Sequence, residues 1–199
     1  KKEVIIMHHN LAIKLEERYT YKDYITWNDN HYWELIDGIA YQMAPPKRKH
    51  QDISFELSRQ IGNYLVGKTC KAYASPFGVR LPLENEPDEY IKDAVLPDIV
   101  IVCDEKKLDD AGCRGAPDLI VEILSPSTSK RDMEDKRDLY ERAGVKEYWI
   151  IDHYHNTVQV YILRENKTYG KSKVYAQNDK IKVSIFPDLE IAMETIFNF

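Results

Sequence analysis

One strand-length segment of the chain, residues 119–124, is apolar at every position except Glu122. A continuous apolar run of this length is typical of a strand that is buried on both faces of a sheet. A carboxylate in such a strand is costly unless a basic group or a metal ion compensates its charge. The sequence therefore predicts a covered sheet with a polar site inside it, and Glu122 is one member of that site.

A second segment, residues 97–102, has an acid at the mouth of a strand, because Asp98 follows a proline and precedes four β-branched residues. Two neighbouring strands that each bring one carboxylate to a common point form an oxygen-rich site of the kind that holds Mg²⁺ or Mn²⁺. We therefore predict Asp98 and Glu122 as metal ligands. The alternatives are a strand-entry role for Asp98 and a buried ion pair between Glu122 and an arginine such as Arg80.

The helix predicted over residues 131–143 supplies a basic group near the same point. Lys136 lies on its apolar stripe, between Met133 and Tyr140, so its amine is expected to point toward the sheet. Only a short connection separates this helix from the strand of Glu122, which brings the amine within reach of that carboxylate. The alternatives for Lys136 are a helical ion pair with Asp132 or a stem that covers apolar surface with its amine in water.

Two acids and one lysine in this arrangement indicate a specific chemistry. In metal-assisted hydrolysis of a phosphodiester, the carboxylates hold the ion, and the lysine orients the attacking water or stabilises the developing charge. We therefore predict Asp98, Glu122 and Lys136 as catalytic residues.

Length and composition limit the classes of protein to consider. With 199 residues, 43% of them hydrophobic and 31% charged, the chain fits one domain, which we place at residues 20–199 after an N-terminal extension at 1–19. No apolar run approaches the roughly 18 residues of a membrane span, and the start has no clean secretory signal, so we expect a cytoplasmic protein. Cys70, Cys103 and Cys113 have neither zinc-site spacing nor the density of a disulfide scaffold, and we expect reduced thiols.

The net charge of -5 argues against a protein whose whole surface binds nucleic acid. Two local basic clusters can still contact a phosphate backbone: Lys47, Arg48 and Lys49 before one predicted helix, and Lys130 and Arg131 before another. Solvated loops are the alternative for both clusters.

The order of predicted elements is mixed. A helix at 20–27 precedes a hairpin within 32–43 that turns at Asp37-Gly38, and a helix at 50–66 carries His50 on the inward face of its first turn. The remaining elements are strands at 71–81, 94–102 and 118–124, the helix at 131–143, and strands at 147–152, 157–163, 171–176 and 180–185. This order predicts an α/β or α+β fold around one core.

Five short segments together resemble the Uma-two family, endonuclease-like proteins of the PD-(D/E)XK restriction-enzyme superfamily. The segments are 34–38 (ELIDG), 97–100 (PDIV), 121–127 (VEILSPS), 136–140 (KRDLY) and 144–150 (GVKEYWI). The resemblance extends over about residues 20–195 and is specific when the segments are taken jointly.

The resemblance implies a restriction-endonuclease-like core, with a central mixed β-sheet flanked by helices and extra antiparallel strands near the C-terminus. It implies Asp98 and Glu122 as the metal-binding acids. The superfamily keeps a lysine two positions after the second acid, where this chain has Leu124, so Lys136 would be the migrated replacement. Glu34 is similar to a further acid that such folds contribute from an early element.

Two of the implied assignments have structural alternatives. Glu34 can instead be a solvated residue of the hairpin, and His50, which can line the same cleft, can instead be a hydrogen-bonded core residue.

The predicted function is thus a Mg²⁺-dependent or Mn²⁺-dependent endonuclease that hydrolyses DNA phosphodiester bonds. Because cleavage of both strands usually needs two sites, a homodimer formed through the strands after His153 is expected. One alternative is a catalytically inactive nuclease-fold module that acts as a dimeric or nucleic-acid-binding accessory, which the acidic charge and Leu124 would allow. Another is a hydrolase of a different phosphate ester.

Overall fold

A computed structural model of the protein describes residues 17–126 and 128–198. Residues 1–16 of the predicted N-terminal extension and Ser127 of the 121–127 segment lie outside the described residues. The helices are α1 (Tyr21–Tyr24), α2 (Arg48–Leu65), α3 (Ser129–Met133), α4 (Asp135–Ala143) and α5 (Met193–Phe197).

The strands number fourteen in the described residues, and most are short. They are β1 (Trp33–Ile36), β2 (Ile39–Gln42), β3 (Lys71–Ala74), β4 (Val79–Arg80), β5 (Ala94–Val95), β6 (Ile99–Val102), β7 (Leu108–Asp109), β8 (Gly112–Arg114), β9 (Leu119–Ile123), β10 (Glu147–Asp152), β11 (Thr157–Ile162), β12 (Lys173–Ala176), β13 (Lys180–Lys182) and β14 (Glu190–Ala192).

The structure has two six-stranded sheets, and the one with the longer strands is called the larger sheet. Its strand order is β12-β11-β10-β9-β6-β3, in which β9 and β10 are parallel and the other pairs are antiparallel. Strand β9 lies inside this sheet and is buried along its whole length, as its apolar run predicted. The mixed sheet with flanking helices, followed by antiparallel strands toward the C-terminus, confirms the predicted fold class.

A second sheet, with the order β2-β1-β5-β4-β8-β7, was not predicted. Two segments that the sequence predicted as single strands are each divided, and each contributes one strand to each of the two sheets. Residues 71–81 are interrupted between β3 and β4, and residues 94–102 between β5 and β6, where Pro97 has no N–H to donate to a ladder. The second interruption brings Asp98 to the junction of the two sheets.

The hairpin of β1 and β2 has the predicted turn. Asp37 and Gly38 have φ angles of 49° and 77°, the left-handed values that a two-residue hairpin turn requires. The turn fixes the register of β1, in which Leu35 faces Ala40 and Glu34 faces Tyr41.

Apolar side chains cover both faces of the larger sheet. On one face, Ile53, Leu57 and Ile61 of α2 pack against β6, β9 and β10. On the other face, Leu139 and Tyr140 of α4 pack between that sheet and the smaller one. The site described below lies on this second face.

The helix predicted over 131–143 is two helices, because the chain breaks at Glu134 between α3 and α4. Met133 is consequently exposed and does not belong to the inward stripe, whereas Lys136, Leu139 and Tyr140 do. The end of α4 is as predicted, with Gly144 in the left-handed conformation.

The expectation of three reduced thiols is wrong for two of them. Cys70 and Cys103 form a disulfide, and Cys113 is a buried free thiol. The pairing Lys71↔Val102 joins β3 to β6 in antiparallel register, so the residues one step beyond, Cys70 and Cys103, face each other. Their separation of 33 residues concealed this proximity in the sequence.

The helices of the described segments include none with the length and apolar character needed to cross a bilayer.

Candidate active site

Lys136 lies at the centre of a buried ionic cluster. Its Nζ is 2.8 Å from Glu34 Oε1 and 2.9 Å from Glu122 Oε1, and 3.6 Å from Asp132 Oδ1. None of the four side chains is more than 5% exposed. The lysine thus points inward, and it also makes the ion pair with Asp132 that is the alternative assignment for it.

The members of this cluster come from separate elements. Glu34 lies on β1 of the smaller sheet, Glu122 on β9 of the larger sheet, and Lys136 on the first turn of α4. Backbone and side-chain donors orient the acids further: Leu96 N donates to Glu34 Oε1 at 2.9 Å, and Tyr140 OH donates to Glu122 Oε1 at 2.7 Å. The cluster therefore joins both sheets to the helix.

The charges of the cluster do not balance. Burial by itself would lower the pKa of Lys136, but the three surrounding carboxylates outweigh it and raise this pKa well above its usual range. Burial also raises the pKa values of Glu122 and Asp132, although Lys136 acts in the opposite direction. One ammonium thus faces three carboxyl groups, and burial favours the protonated form of two of them, Glu122 and Asp132.

Asp98 lies at the edge of this cluster. Strand β6 pairs with β9 so that Ile99 faces Val121, and continuing the register puts Asp98 opposite Glu122. Asp98 Oδ2 accepts a hydrogen bond from Ile123 N at 2.7 Å and lies 3.2 Å from His50 Nε2. The side chains of His50 and Asp98 are 13% and 14% exposed, so solvent reaches the site from their side.

Two carboxylate oxygens of this site accept no hydrogen bond from the described residues. Glu34 Oε2 is buried without a hydrogen-bond partner, and both hydrogen bonds of the Asp98 carboxylate fall on Oδ2, which leaves Oδ1 unbonded among the described residues. No three acidic, histidine or cysteine side chains of those residues stand close enough to share one ion. An ion here would therefore use one or two carboxylates and complete its shell with water or phosphate oxygens, as Mg²⁺ commonly does.

The structure places the predicted nucleic-acid contacts at the starts of two helices, α2 and α3. Lys47, Arg48 and Lys49 are exposed at the start of α2, directly before His50. Arg48 is paired with Asp52 at 2.6 Å.

The second basic pair lies on α3, next to Asp132. Lys130 is exposed, and the Arg131 guanidinium lies 3.8 Å from the centroid of the Tyr41 ring. Lys130 and Arg131 thus directly precede the buried Asp132 on α3.

Two alternative assignments fail in the structure. Arg80 pairs with Asp88 and Asp109, so it is not the partner of Glu122. The other concerns Glu34, which is fully buried and is therefore not a solvated residue of the hairpin.

Asp118 resembles Asp98 in sequence, because it also follows a proline and opens a strand. Its carboxylate binds Lys146 Nζ at 2.6 Å and Cys103 N at 2.7 Å, at the opposite end of the β6–β9 pair. Asp118 is thus a strand-entry residue.

Sequence reasoning missed the place of two residues in the cluster. Asp132 was considered only as a helical partner of Lys136, and Tyr140 only as an apolar stripe residue. The available signal was their spacing, since residues four before and four after Lys136 share its helical face. The break at Glu134 puts Asp132 on a different helix, but its carboxylate still lies 3.6 Å from Lys136 Nζ.

Comparisons with known proteins add a family and a fold. The model of the family Uma2, described as "Putative restriction endonuclease", matches residues 20–194. The "Uncharacterized protein slr1290" of Synechocystis sp. is 29% identical over 121 residues, and the matched region spans 60% of the length of each protein.

A crystal structure described as "a putative nuclease belonging to DUF820" from Anabaena variabilis superposes with a TM-score of 0.72. It covers 90% of this chain and 97% of its own at 20% identity. At this identity, the likeness shows the fold alone.

Proposed function

The chain belongs to the Uma2 family of restriction-endonuclease-like proteins, and on this premise we propose that it is a Mg²⁺-dependent or Mn²⁺-dependent endonuclease that hydrolyses DNA phosphodiester bonds. One observation carries the proposal: a single buried ammonium, that of Lys136, joins Glu34 and Glu122 from two different sheets. Structural stability alone gives little reason for this arrangement, because apolar side chains of the same volume are often as stable as a buried ion pair or more so.

Each residue has a role that follows from its surroundings. Asp98 and Glu122 would hold the ion, with Asp98 on the side that solvent reaches. When bound, the ion would polarise the scissile phosphate and acidify the attacking water. Lys136 keeps its proton, so it would orient Glu122 and stabilise negative charge that develops beside it.

The remaining parts would serve substrate binding. Lys47, Lys49 and Lys130 are exposed and would meet the phosphate backbone. Such contacts are independent of base sequence, and their number would set the salt dependence of binding.

The test is cleavage of supercoiled plasmid and of single-stranded DNA with Mg²⁺, with Mn²⁺ and with a chelator. We expect metal-dependent cleavage by the wild type. The cleavage rate of Asp98→Asn and of Glu122→Gln should be at least about 100-fold lower, since each substitution removes a metal-binding charge.

Asp118→Asn is the matched control, because Asp118 has the same Pro-Asp strand entry but lies at the other end of the strand pair. It should cleave at the wild-type rate. Equal cleavage by Asp98→Asn, Glu122→Gln and wild type would refute the proposal.

A second candidate function is a nuclease-fold module without catalytic activity that binds nucleic acid or another copy of itself. The burial of Lys136, which is 2% exposed, favours this candidate, because a water-orienting amine needs access to solvent. Mn²⁺ titration separates the two: an active site should bind Mn²⁺ through Asp98 and Glu122, and an abandoned one should not.

We also propose that two copies act together on double-stranded DNA, because cleavage of both strands needs two sites. Strand β12 is an edge of the larger sheet, and Val174 on it is 57% exposed. Light scattering should give a mass of about twice 23.3 kDa, and a monomer at working concentrations would refute the dimer.

A further inference from the structure

We propose that His50 is a positioning residue, which holds the carboxylate of Asp98 in the orientation that presents its unbonded oxygen to the divalent ion. The inference rests on the proposed function, and it extends that function from the metal ligands to the side chain behind one of them.

Two donors meet on one oxygen of Asp98. His50 Nε2 lies 3.2 Å from Oδ2, and Ile123 N donates to the same atom at 2.7 Å. Two donors on the same oxygen restrict the rotation of the carboxylate more than one donor would, and Oδ1 is left for another ligand. Without the imidazole, only the Ile123 amide would hold Oδ2, and the carboxylate could turn about that single bond.

The proton arrangement of the imidazole follows from its partners. An ionised carboxylate only accepts hydrogen bonds, so Nε2 of His50 carries the proton in this contact. Nδ1 of His50 is buried and has no partner in the part of the chain that the structure describes. The geometry thus makes Nε2 the donor to Asp98.

The support behind His50 is rigid. His50 lies on the first turn of the 18-residue helix α2, whose Ile53, Leu57 and Ile61 are at most 1% exposed in the core against the larger sheet. The backbone of Ile123, the second donor, belongs to β9 of the same sheet. Helix and sheet therefore hold the carboxylate from two sides, as the outer contacts of a metal ligand must.

The experiment measures Mn²⁺ affinity of the full chain, by the electron paramagnetic resonance signal of free Mn²⁺, for His50→Leu and His50→Gln. Loss of a hydrogen bond behind a ligand commonly weakens metal binding by about 10-fold to 100-fold, and we expect this in His50→Leu. The side-chain amide of His50→Gln can donate from nearly the same position as Nε2, so its affinity should stay within about threefold of wild type.

His155→Leu is the matched control. His155 also pairs with an aspartate, Asp152, at 2.7 Å, but its side chain is 78% exposed on the surface. It should bind Mn²⁺ as the wild type does. Should His50→Leu fail to fold, His50→Asn, whose shorter amide does not reach Oδ2, replaces it with the same expected loss.

Asp98→Asn separates the two levels of inference. Wild-type Mn²⁺ affinity in Asp98→Asn would overturn the proposed function itself. Loss of affinity in Asp98→Asn with wild-type affinity in His50→Leu would leave the proposed function intact and overturn the positioning role. If His50→Gln bound Mn²⁺ as weakly as His50→Leu, the positioning role would also be overturned, because a hydrogen-bond donor at this position would not be enough and the imidazole ring itself would be required.

Discussion

Replacing Lys136 with methionine tests the buried ionic cluster most directly. The variant keeps the length and apolar stem of the side chain but removes the ammonium that contacts Glu34, Glu122 and Asp132 at 2.8, 2.9 and 3.6 Å. Removing one partner of a buried ion pair costs about 3–5 kcal/mol, because the remaining charge is left uncompensated. All four side chains are at most 5% exposed, so solvent screening does not reduce this figure.

The assay is urea unfolding at neutral pH, followed by circular dichroism and by the fluorescence of the buried Trp149. With a slope of about 2 kcal/mol per molar urea, a loss of 3–5 kcal/mol lowers the midpoint by about 2 M. Lys146→Met is the matched control. Lys146 pairs with Asp118 at 2.6 Å, but its side chain is 65% exposed, and such pairs contribute about 0–1 kcal/mol.

A double variant identifies the cause of the loss. Glu34→Gln introduced into Lys136→Met removes one of the uncompensated charges, and about 1–3 kcal/mol should return as coupling between the two positions. Lys136 does not compensate the buried acids if Lys136→Met lowers the free energy of unfolding no more than Lys146→Met does. The same conclusion follows if the losses from Glu34→Gln and Lys136→Met simply add in the double variant.

Three further predictions concern stability. Tyr140→Phe removes the hydroxyl that donates to Glu122, and unfolding in urea should show a loss of about 1.5–3 kcal/mol; an unchanged midpoint would mean that this bond contributes nothing. Burial raises the pKa of Glu147 above its ordinary 4.5, so the folded state binds this proton more tightly than the unfolded chain, and the stabilisation is full below that pH and lost as the pH rises through the folded value. The unfolding free energy of the wild type minus that of Glu147→Gln should therefore fall from about pH 4 to about pH 7, and a rise over this range would contradict the reasoning. Reduction of the disulfide between Cys70 and Cys103, which closes a loop of 33 residues, should cost about 4 kcal/mol in the wild type and nothing in the doubly substituted serine variant.

The residues that sequence reasoning found share a local signal. Glu122 interrupts an apolar run, Asp98 opens one, and Lys136 lies on the inward face of a helix, so a few neighbouring residues reveal each of them. Strand and helix periodicity are local properties, and they predicted β9, β10 and most of α2 closely.

The contacts between these residues have no such local signal. Whether Glu34 meets Lys136 depends on the smaller sheet, which forms because two expected strands are divided between two sheets. Strands of two to four residues carry too little periodicity to be assigned from the sequence, and the same holds for the pairing of β3 with β6 that brings Cys70 to Cys103.

The sequence by itself thus determined the mixed fold class, the covered central strand and a polar group within it, because burial preferences act on each residue and its near neighbours. Only the tertiary structure decided which acids contact the ammonium of Lys136. It also decided that Asp98 contacts His50 and that Cys70 and Cys103 form a disulfide. These depend on the packing of elements far apart in the chain, where the free energy of many weak contacts selects one arrangement.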